Sequence, residues 1–178
     1  MKGSIIFALH KSPYPKRKGP SHWADWYRGC LKAVDIQRVL DASGVTSEML
    51  VLTDAQYKGG LHEVDYYTAA FDELGAHNVR VIRKCYETVR QIEMALQISQ
   101  NEDKDLIVIS TWVHYLRVCW LLRGSGATHR IAFGIPNLQY AIADVILTFA
   151  FPVIDLVPGG RERFVAYAED KRFKGEYQ

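Results

Sequence analysis

Short apolar runs alternate along the chain with longer segments in which apolar residues recur every three or four positions. Continuous apolar runs are typical of strands buried on both faces of a sheet, and the longer repeat is typical of amphipathic helices. The expected strands cover residues 4–9, 49–52, 79–82, 106–109 and 131–133. The expected helices cover residues 23–42, 63–74, 88–99, a segment ending at 122, and the chain from about 161.

Strands and helices that alternate with short connections form βαβ crossovers, which build a mostly parallel sheet covered on both faces. The sequence therefore predicts an α/β fold, a Rossmann-like three-layer sandwich with about five strands. A length of 178 residues, with 48% hydrophobic and 24% charged residues, predicts a single α/β domain over residues 1–178.

The most apolar stretch, residues 141–157, has 13 apolar residues among 17. It contains Asp144, Pro152 and Asp155 and is shorter than the roughly 20 residues of a membrane span. It is therefore interpreted as a buried helix that runs into a strand near 153–157. The apolar run at the N-terminus is too short for a secretory signal. We expect a cytoplasmic protein without a membrane partner.

Charge and cysteine content argue against several classes of function. The 22 Lys and Arg residues nearly balance the 20 Asp and Glu residues, so nothing in the charge predicts a nucleic-acid partner. Three widely spaced cysteines form no disulfide framework, and no zinc motif occurs, so we expect no metal site. The glycine motifs of dinucleotide-binding proteins and P-loop enzymes do not occur. The oligomeric state is left open.

Polar residues follow each of the first four predicted strands. Ligands of open α/β sheets bind at this edge, where the carboxyl ends of the strands meet the helix N-termini, so these residues predict a site for a polar small molecule. Loop 10–22, rich in Pro and basic residues, is either a solvated surface loop or a flap over that site. The candidate ligand-binding residues are His10, Thr53, Asp54, Glu63, Thr88, Ser110, Thr111, His114 and Arg117.

The sharpest local feature is segment 107–117, where an apolar strand leads into Ser110, Thr111, His114 and Arg117. If Ser110 or Thr111 caps a helix, positions 110, 114 and 117 share one face of it. A helix N-terminus with a histidine and an arginine suits a phosphate or carboxylate. The structural alternative is that His114 packs internally and Arg117 pairs with a carboxylate such as Glu87.

The order of elements, the sequence Tyr-Glu-Thr-Val-Arg-Gln at 86–91 and above all Ser110-Thr111…His114…Arg117 resemble the YdcF/SanA/ElyC family of bacterial domains of unknown function. The likeness covers about residues 4–135, which leaves about 136–178 as a helical extension. Glu63 and Thr88 match two further family motifs, whereas the glycine-rich turns after the first two strands are replaced here. The resemblance implies a pocket at the strand ends, with S-adenosylmethionine as a candidate ligand because one member is associated with it.

Three functions are compatible with these observations. The first is binding of a nucleotide-like or phosphorylated small molecule, with S-adenosylmethionine among the candidates. The second is a hydrolase or transferase for a phosphorylated or glycosyl substrate, in which His114 is the acid/base and Glu63 or Glu87 orients it or activates water. The third is an interaction module with a vestigial pocket. We prefer the first and leave catalysis open.

Overall fold

The central strand of the molecule is the first apolar run of the chain, and the rest of the sheet is built outward from it. The computed structural model describes residues 2–9, 22–53, 55, 62–83, 85, 87–136 and 138–173, with the backbone alone for 138–140 and 171–173. The strands are β1 (Ser4–Ala8), β2 (Ser47–Leu52), β3 (Val79–Ile82), β4 (Asp105–Thr111) and β5 (Thr128–Ala132). The helices are α1 (Asp25–Ala42), α2 (Glu63–Glu73), α3 (Thr88–Asn101), α4 (Tyr115–Leu122), α5 (Leu138–Leu156) and α6 (Gly160–Phe173), and a 3-10 turn (Trp112–His114) precedes α4.

All five strands are parallel, in the order β3-β2-β1-β4-β5. The predicted α/β fold, a Rossmann-like three-layer sandwich, is therefore confirmed. The chain order reverses between β1 and β4, and ligands of open α/β sheets bind in the crevice outside the strand ends at such a reversal. This topology places any site of that kind above β1 and β4.

The two faces of the sheet are buried by different helices. Successive side chains of a strand point to opposite faces. Ile6 of β1 faces the core formed with α1 and α2, while Ile5 and Phe7 face the core formed with α3 and α4. Because both faces are covered, β1 is apolar from Ile5 to Ala8, as the sequence pattern predicted. A smaller cluster of Val89, Phe151 and Val165 joins α5 and α6 to α3.

The interpretation of residues 141–157 was wrong in two respects. The segment does not run into a strand, because α5 continues through Pro152 to Leu156. It is not buried on all sides either: Phe151 packs inward, while Phe149 and Val153 are exposed. Packing of Phe151 against Val89 and Val165 keeps the segment helical despite its β-branched residues. No helix in the described ranges is long and apolar enough to cross a membrane.

Asp155, in the last turn of α5, connects this end of the helix to α4. Its side chain is 6% exposed. Its carboxylate accepts hydrogen bonds from Trp120 Nε1 at 2.9 Å, from Arg123 Nη2 at 3.1 Å and from Arg161 Nη2 at 2.9 Å. These donors, Arg161 first among them, hold the pKa of Asp155 well below its ordinary range. The carboxylate is therefore charged in the folded protein at neutral pH.

Gly134, in the loop after β5, allows the start of α1 to come very close. A Cβ atom on Gly134 would clash with Asp25 Cα and would lie 2.8 Å from Asp25 N. The two segments are joined by a hydrogen bond from Ile135 N to Trp23 O at 2.7 Å. We expect Gly134→Ala to lower the free energy of unfolding by about 1–3 kcal/mol, because backbone must move to admit the methyl group. Urea denaturation measures this loss.

Gly29 provides the matched control for that experiment. It lies inside α1, and nothing comes within 4 Å of a Cβ built on it. Gly29→Ala should be neutral or stabilising by up to about 1 kcal/mol, since alanine restricts the unfolded chain and fits a helix. Equal stability of the two variants would contradict the close approach at Gly134.

Candidate functional site

A buried carboxylate stands at the beginning of each of the first three helices. Asp25 and Glu63 are 0% exposed and Glu87 is 4% exposed. Each helix returns from the carboxyl end of the strand that precedes it, so the three acids lie along the same edge of the sheet. Negative charge is stabilised at helix N-termini by the backbone N–H groups and the helix dipole, which explains how three acids are accommodated there.

Each of these acids makes a hydrogen bond close to its helix start. Asp25 Oδ1 accepts a hydrogen bond from Trp26 N at 2.9 Å, and Glu87 Oε2 caps α3 by accepting from Val89 N at 2.6 Å. Glu63 accepts a hydrogen bond from the buried hydroxyl of Thr53 at the end of β2. The structure thus brings Thr53 and Glu63, two residues predicted for the site, into direct contact.

A second cluster joins Thr88, His114 and Arg117, also predicted for the site, to Asp144 of α5. Arg117 Nη2 donates to His114 Nδ1 at 2.9 Å and lies 3.5 Å from Thr88 Oγ1. His114 Nε2 lies 3.3 Å from Asp144 Oδ2, and Asp144 Oδ1 lies 4.0 Å from Arg117 Nη2. His114 is 5% and Arg117 3% exposed, so this cluster is buried.

The hydrogen bonds of the second cluster determine the tautomer of His114. A guanidinium group only donates, so Nδ1 must accept and the proton resides on Nε2, facing Asp144. Both ring nitrogens are thereby engaged by protein groups. His114 contacts Arg117 through Nδ1 and Asp144 through Nε2, and it thereby orients Arg117. This geometry favours a positioning role for His114 over proton transfer to a substrate.

The prediction that residues 110, 114 and 117 share one helix face was wrong for Ser110, whereas His114 and Arg117 do lie together. Ser110 and Thr111 still belong to β4, where they pair with Ile131 and Ala132 of β5, so the helical segment begins only after them. Thr111 takes the N-cap position of the 3-10 turn, but its side chain makes no capping hydrogen bond there. Ser110 therefore does not join His114 and Arg117 on one helix face.

Ser110 instead faces His129, a residue of β5. Ser110 Oγ lies 2.7 Å from His129 Nε2, and His129 Nδ1 lies 3.4 Å from Cys119 Sγ. The His129 ring stacks on Tyr115, with the ring centroids 5.1 Å apart. Burial lowers the pKa of His129, so the ring is neutral at physiological pH. This group lies between α4 and the last two strands.

Thr111, a predicted ligand-binding residue, lies at the end of β4 beside the topological reversal. It is 3% exposed, and its hydroxyl has no hydrogen-bond partner among the described residues. Buried polar groups are normally satisfied, so a buried hydroxyl at this position is available for a ligand atom. His10, Asp54 and residues 10–21 lie outside the described residues.

Sequence reasoning missed Asp25, His129 and Asp144. Asp25 follows loop 10–22 at the start of a predicted helix, and an acid in a first helical turn is a signal that could have indicated it. Asp144 was noted only as a charge within an apolar stretch. Its contact with His114 joins residues 30 positions apart and has no local signature.

Among the residues described by the structure, no three His, Cys, Asp or Glu side chains are grouped so as to hold a metal ion. No protein-family model matches the chain, and no curated protein sequence matches it. The resemblance to the YdcF/SanA/ElyC family therefore stays a prediction, and the function must be argued from the site.

Proposed function

We propose that this chain binds a nucleoside-containing small molecule at the carboxyl edge of its sheet, and that the ligand carries positive charge and free ribose hydroxyls. S-adenosylmethionine, with a sulfonium, an ammonium group and a ribose, fits this description. The observation that carries the proposal is the row of three buried carboxylates, Asp25, Glu63 and Glu87, at the starts of α1, α2 and α3.

The sequence predicted either a nucleotide-like or a phosphorylated ligand, and the carboxylates disfavour phosphate groups beside them. A phosphate commonly binds the free N–H groups of a helix N-terminus. At the start of α3 the Glu87 carboxylate accepts a hydrogen bond from Val89 N. At the start of α1 the Asp25 carboxylate accepts one from Trp26 N. An added phosphate would meet like charge there. Ionised carboxylates accept hydrogen bonds only, and they therefore select ligand hydroxyl and ammonium donors.

We assign complementary roles to the two clusters. Glu63, held by Thr53, accepts hydrogen bonds from the ribose hydroxyls. Arg117, oriented by His114 and Asp144, supplies the cation for an anionic group such as the carboxylate of an amino-acid moiety. The hydroxyl of Thr111, at the end of β4, adds a neutral donor and acceptor.

A hydrolase or transferase that uses His114 as acid/base gains no support from this geometry. A general acid or base must reach a substrate proton, whereas both ring nitrogens of His114 face Arg117 and Asp144. The proposed function is accordingly ligand binding, with no catalytic step assigned to His114.

The proposal predicts that S-adenosylmethionine raises the unfolding temperature of the purified chain, whereas a sugar phosphate of similar size does not. Ligand at 100 times its Kd adds about 2.7 kcal/mol to stability, which a thermal-shift measurement detects readily. Glu63→Gln should weaken binding by roughly 10- to 100-fold, because a hydrogen bond to a charged group contributes about 1.5–3 kcal/mol. Isothermal titration calorimetry gives the Kd values.

Glu73→Gln is the matched control, because Glu73 ends the same helix that Glu63 begins. It should bind S-adenosylmethionine as the wild type does. Stabilisation by sugar phosphates alone would contradict the proposal, and so would equal affinity of the Glu63→Gln variant and the wild type.

A further inference from the structure

One side of α5 is apolar and exposed from Ile142 to Leu156. Between residues 141 and 157, every exposed residue is apolar. The two acids of the helix face inward, with side-chain exposures of 15% for Asp144 and 6% for Asp155. The large exposed side chains, called the α5 face below, are 40–73% exposed and comprise Ile142, Val145, Ile146, Phe149, Val153, Leu156 and Val157.

The spacing within the α5 face is that of a helix-pairing seam. Five of its residues follow one another at intervals of four, three, four and three positions, and this alternation is the a/d pattern of a coiled coil. The a positions of this pattern carry Ile146 and Val153, and both are apolar. The five residues are Ile142, Ile146, Phe149, Val153 and Leu156.

The extent of the α5 face matches one half of a protein interface. With its seven large side chains exposed by 40–73%, it presents on the order of 700 Å² of apolar surface, beyond the few hundred Å² usual for a monomer. A stable interface of ordinary size buries about 800 Å² on each partner. The face is therefore close to the size of one side of such an interface.

The absence of charge on the α5 face favours a second copy of the chain, rather than a membrane surface, as its partner. Helices that lie in a membrane interface carry Lys and Arg beside their apolar face, and α5 contains neither. Because the face has no exposed charge, it offers nothing to select a charged partner. It is, however, complementary to itself, as a two-fold symmetric contact requires.

We propose that two copies of this chain form a symmetric dimer through their α5 faces. In an antiparallel pair the two-fold axis passes near Phe149, because Ile142 and Leu156 each lie seven positions from it. Phe149 of one copy then packs on Phe149 of the other, and Ile142 packs on Leu156. The inference rests on the α5 face alone and is independent of the proposed ligand.

Sedimentation equilibrium over a wide range of protein concentration tests the proposal. The wild type should reach twice the chain mass of 20.3 kDa, and Phe149→Glu should remain at the chain mass. The substitution should weaken self-association by about 30-fold or more, the effect of losing a central anchor residue. Val39→Glu is the matched control, because Val39 is 66% exposed on α1 and should not alter dimerisation.

A cross-linking experiment covers the case in which Phe149→Glu fails to fold. Under mild oxidation Phe149→Cys should give a covalent dimer on a non-reducing gel, whereas Val39→Cys should not, with Cys30, Cys85 and Cys119 common to both. A monomeric wild type, an unchanged Phe149→Glu dimer or equal cross-linking of the two cysteine variants would each overturn the proposal. So would a monomeric wild type that floats with phosphatidylglycerol vesicles, which would identify a lipid surface as the partner instead.

Discussion

The free energy of unfolding of the Asp144→Ala variant is expected to be about 3–5 kcal/mol lower than that of the wild type. The substitution removes the carboxylate that faces both His114 and Arg117. Breaking a buried ionic cluster by deleting one partner leaves the remaining charge poorly compensated. Urea denaturation at neutral pH measures the loss.

Two controls separate this effect from a general loss of charge. Asp144→Asn keeps an oxygen that can accept the His114 Nε2 proton, and it should lose less stability than Asp144→Ala. Asp35→Ala removes an exposed acid, 3.7 Å from Arg38 on α1, and should cost at most about 0.5 kcal/mol. Similar losses for Asp144→Ala and Asp35→Ala would show that the buried cluster contributes nothing particular to stability.

The Asp155→Asn variant is expected to lose a comparable amount, about 3–5 kcal/mol, because the carboxylate has a side-chain exposure of only 6% and is shared by two arginines and the Trp120 indole. This loss depends on pH. The folded pKa of Asp155 is lowered, so its contribution is fully present above the unfolded pKa of about 3.9. It is lost as the pH falls further toward the folded pKa.

Urea denaturation of both proteins at neutral pH and at several pH values below about 4 tests the dependence. The difference in unfolding free energy between wild type and Asp155→Asn should stay constant near neutrality and shrink in acid. A difference that stays the same in strong acid would show that the carboxylate charge is not its source. Asp35→Asn should show a small difference throughout, because Asp35 is 55% exposed.

The fold was largely predictable because burial in this architecture leaves a direct trace in the sequence. β1 lies between two helical layers, so it is apolar from Ile5 to Ala8, and the amphipathic repeat of α1 reflects a single buried face. The five strands expected between residues 4 and 133 and the helices expected at 23–42, 63–74 and 88–99 have boundaries within three residues of those observed. The predicted strand at 153–157 failed because β-branched composition cannot reveal that Phe151, two positions earlier, is anchored in a helical contact.

The candidate site was predictable only where its residues are close in sequence or follow a strand end. His114 and Arg117 are three positions apart, and Thr53 and Glu63 flank one connection. The contact between Ser110 and His129 depends on the register between β4 and β5, which no single segment encodes. Contacts of this kind arise from the tertiary fold and cannot be read from local spacing.

The parallel order of the sheet also has a consequence for how the chain reaches its folded state. β1 pairs with β4, with Ser4 beside Asp105, so the centre of the sheet joins segments separated by about a hundred residues. Such long-range pairing slows folding, because the entropy of closing the intervening chain is lost before the contact forms. During synthesis β1 emerges well before β4. Until β4 is made, the edge of β1 that pairs with it in the folded protein has no partner strand. The nascent protein is then most exposed to aggregation through that edge, and a fragment ending before β4 would keep it open permanently.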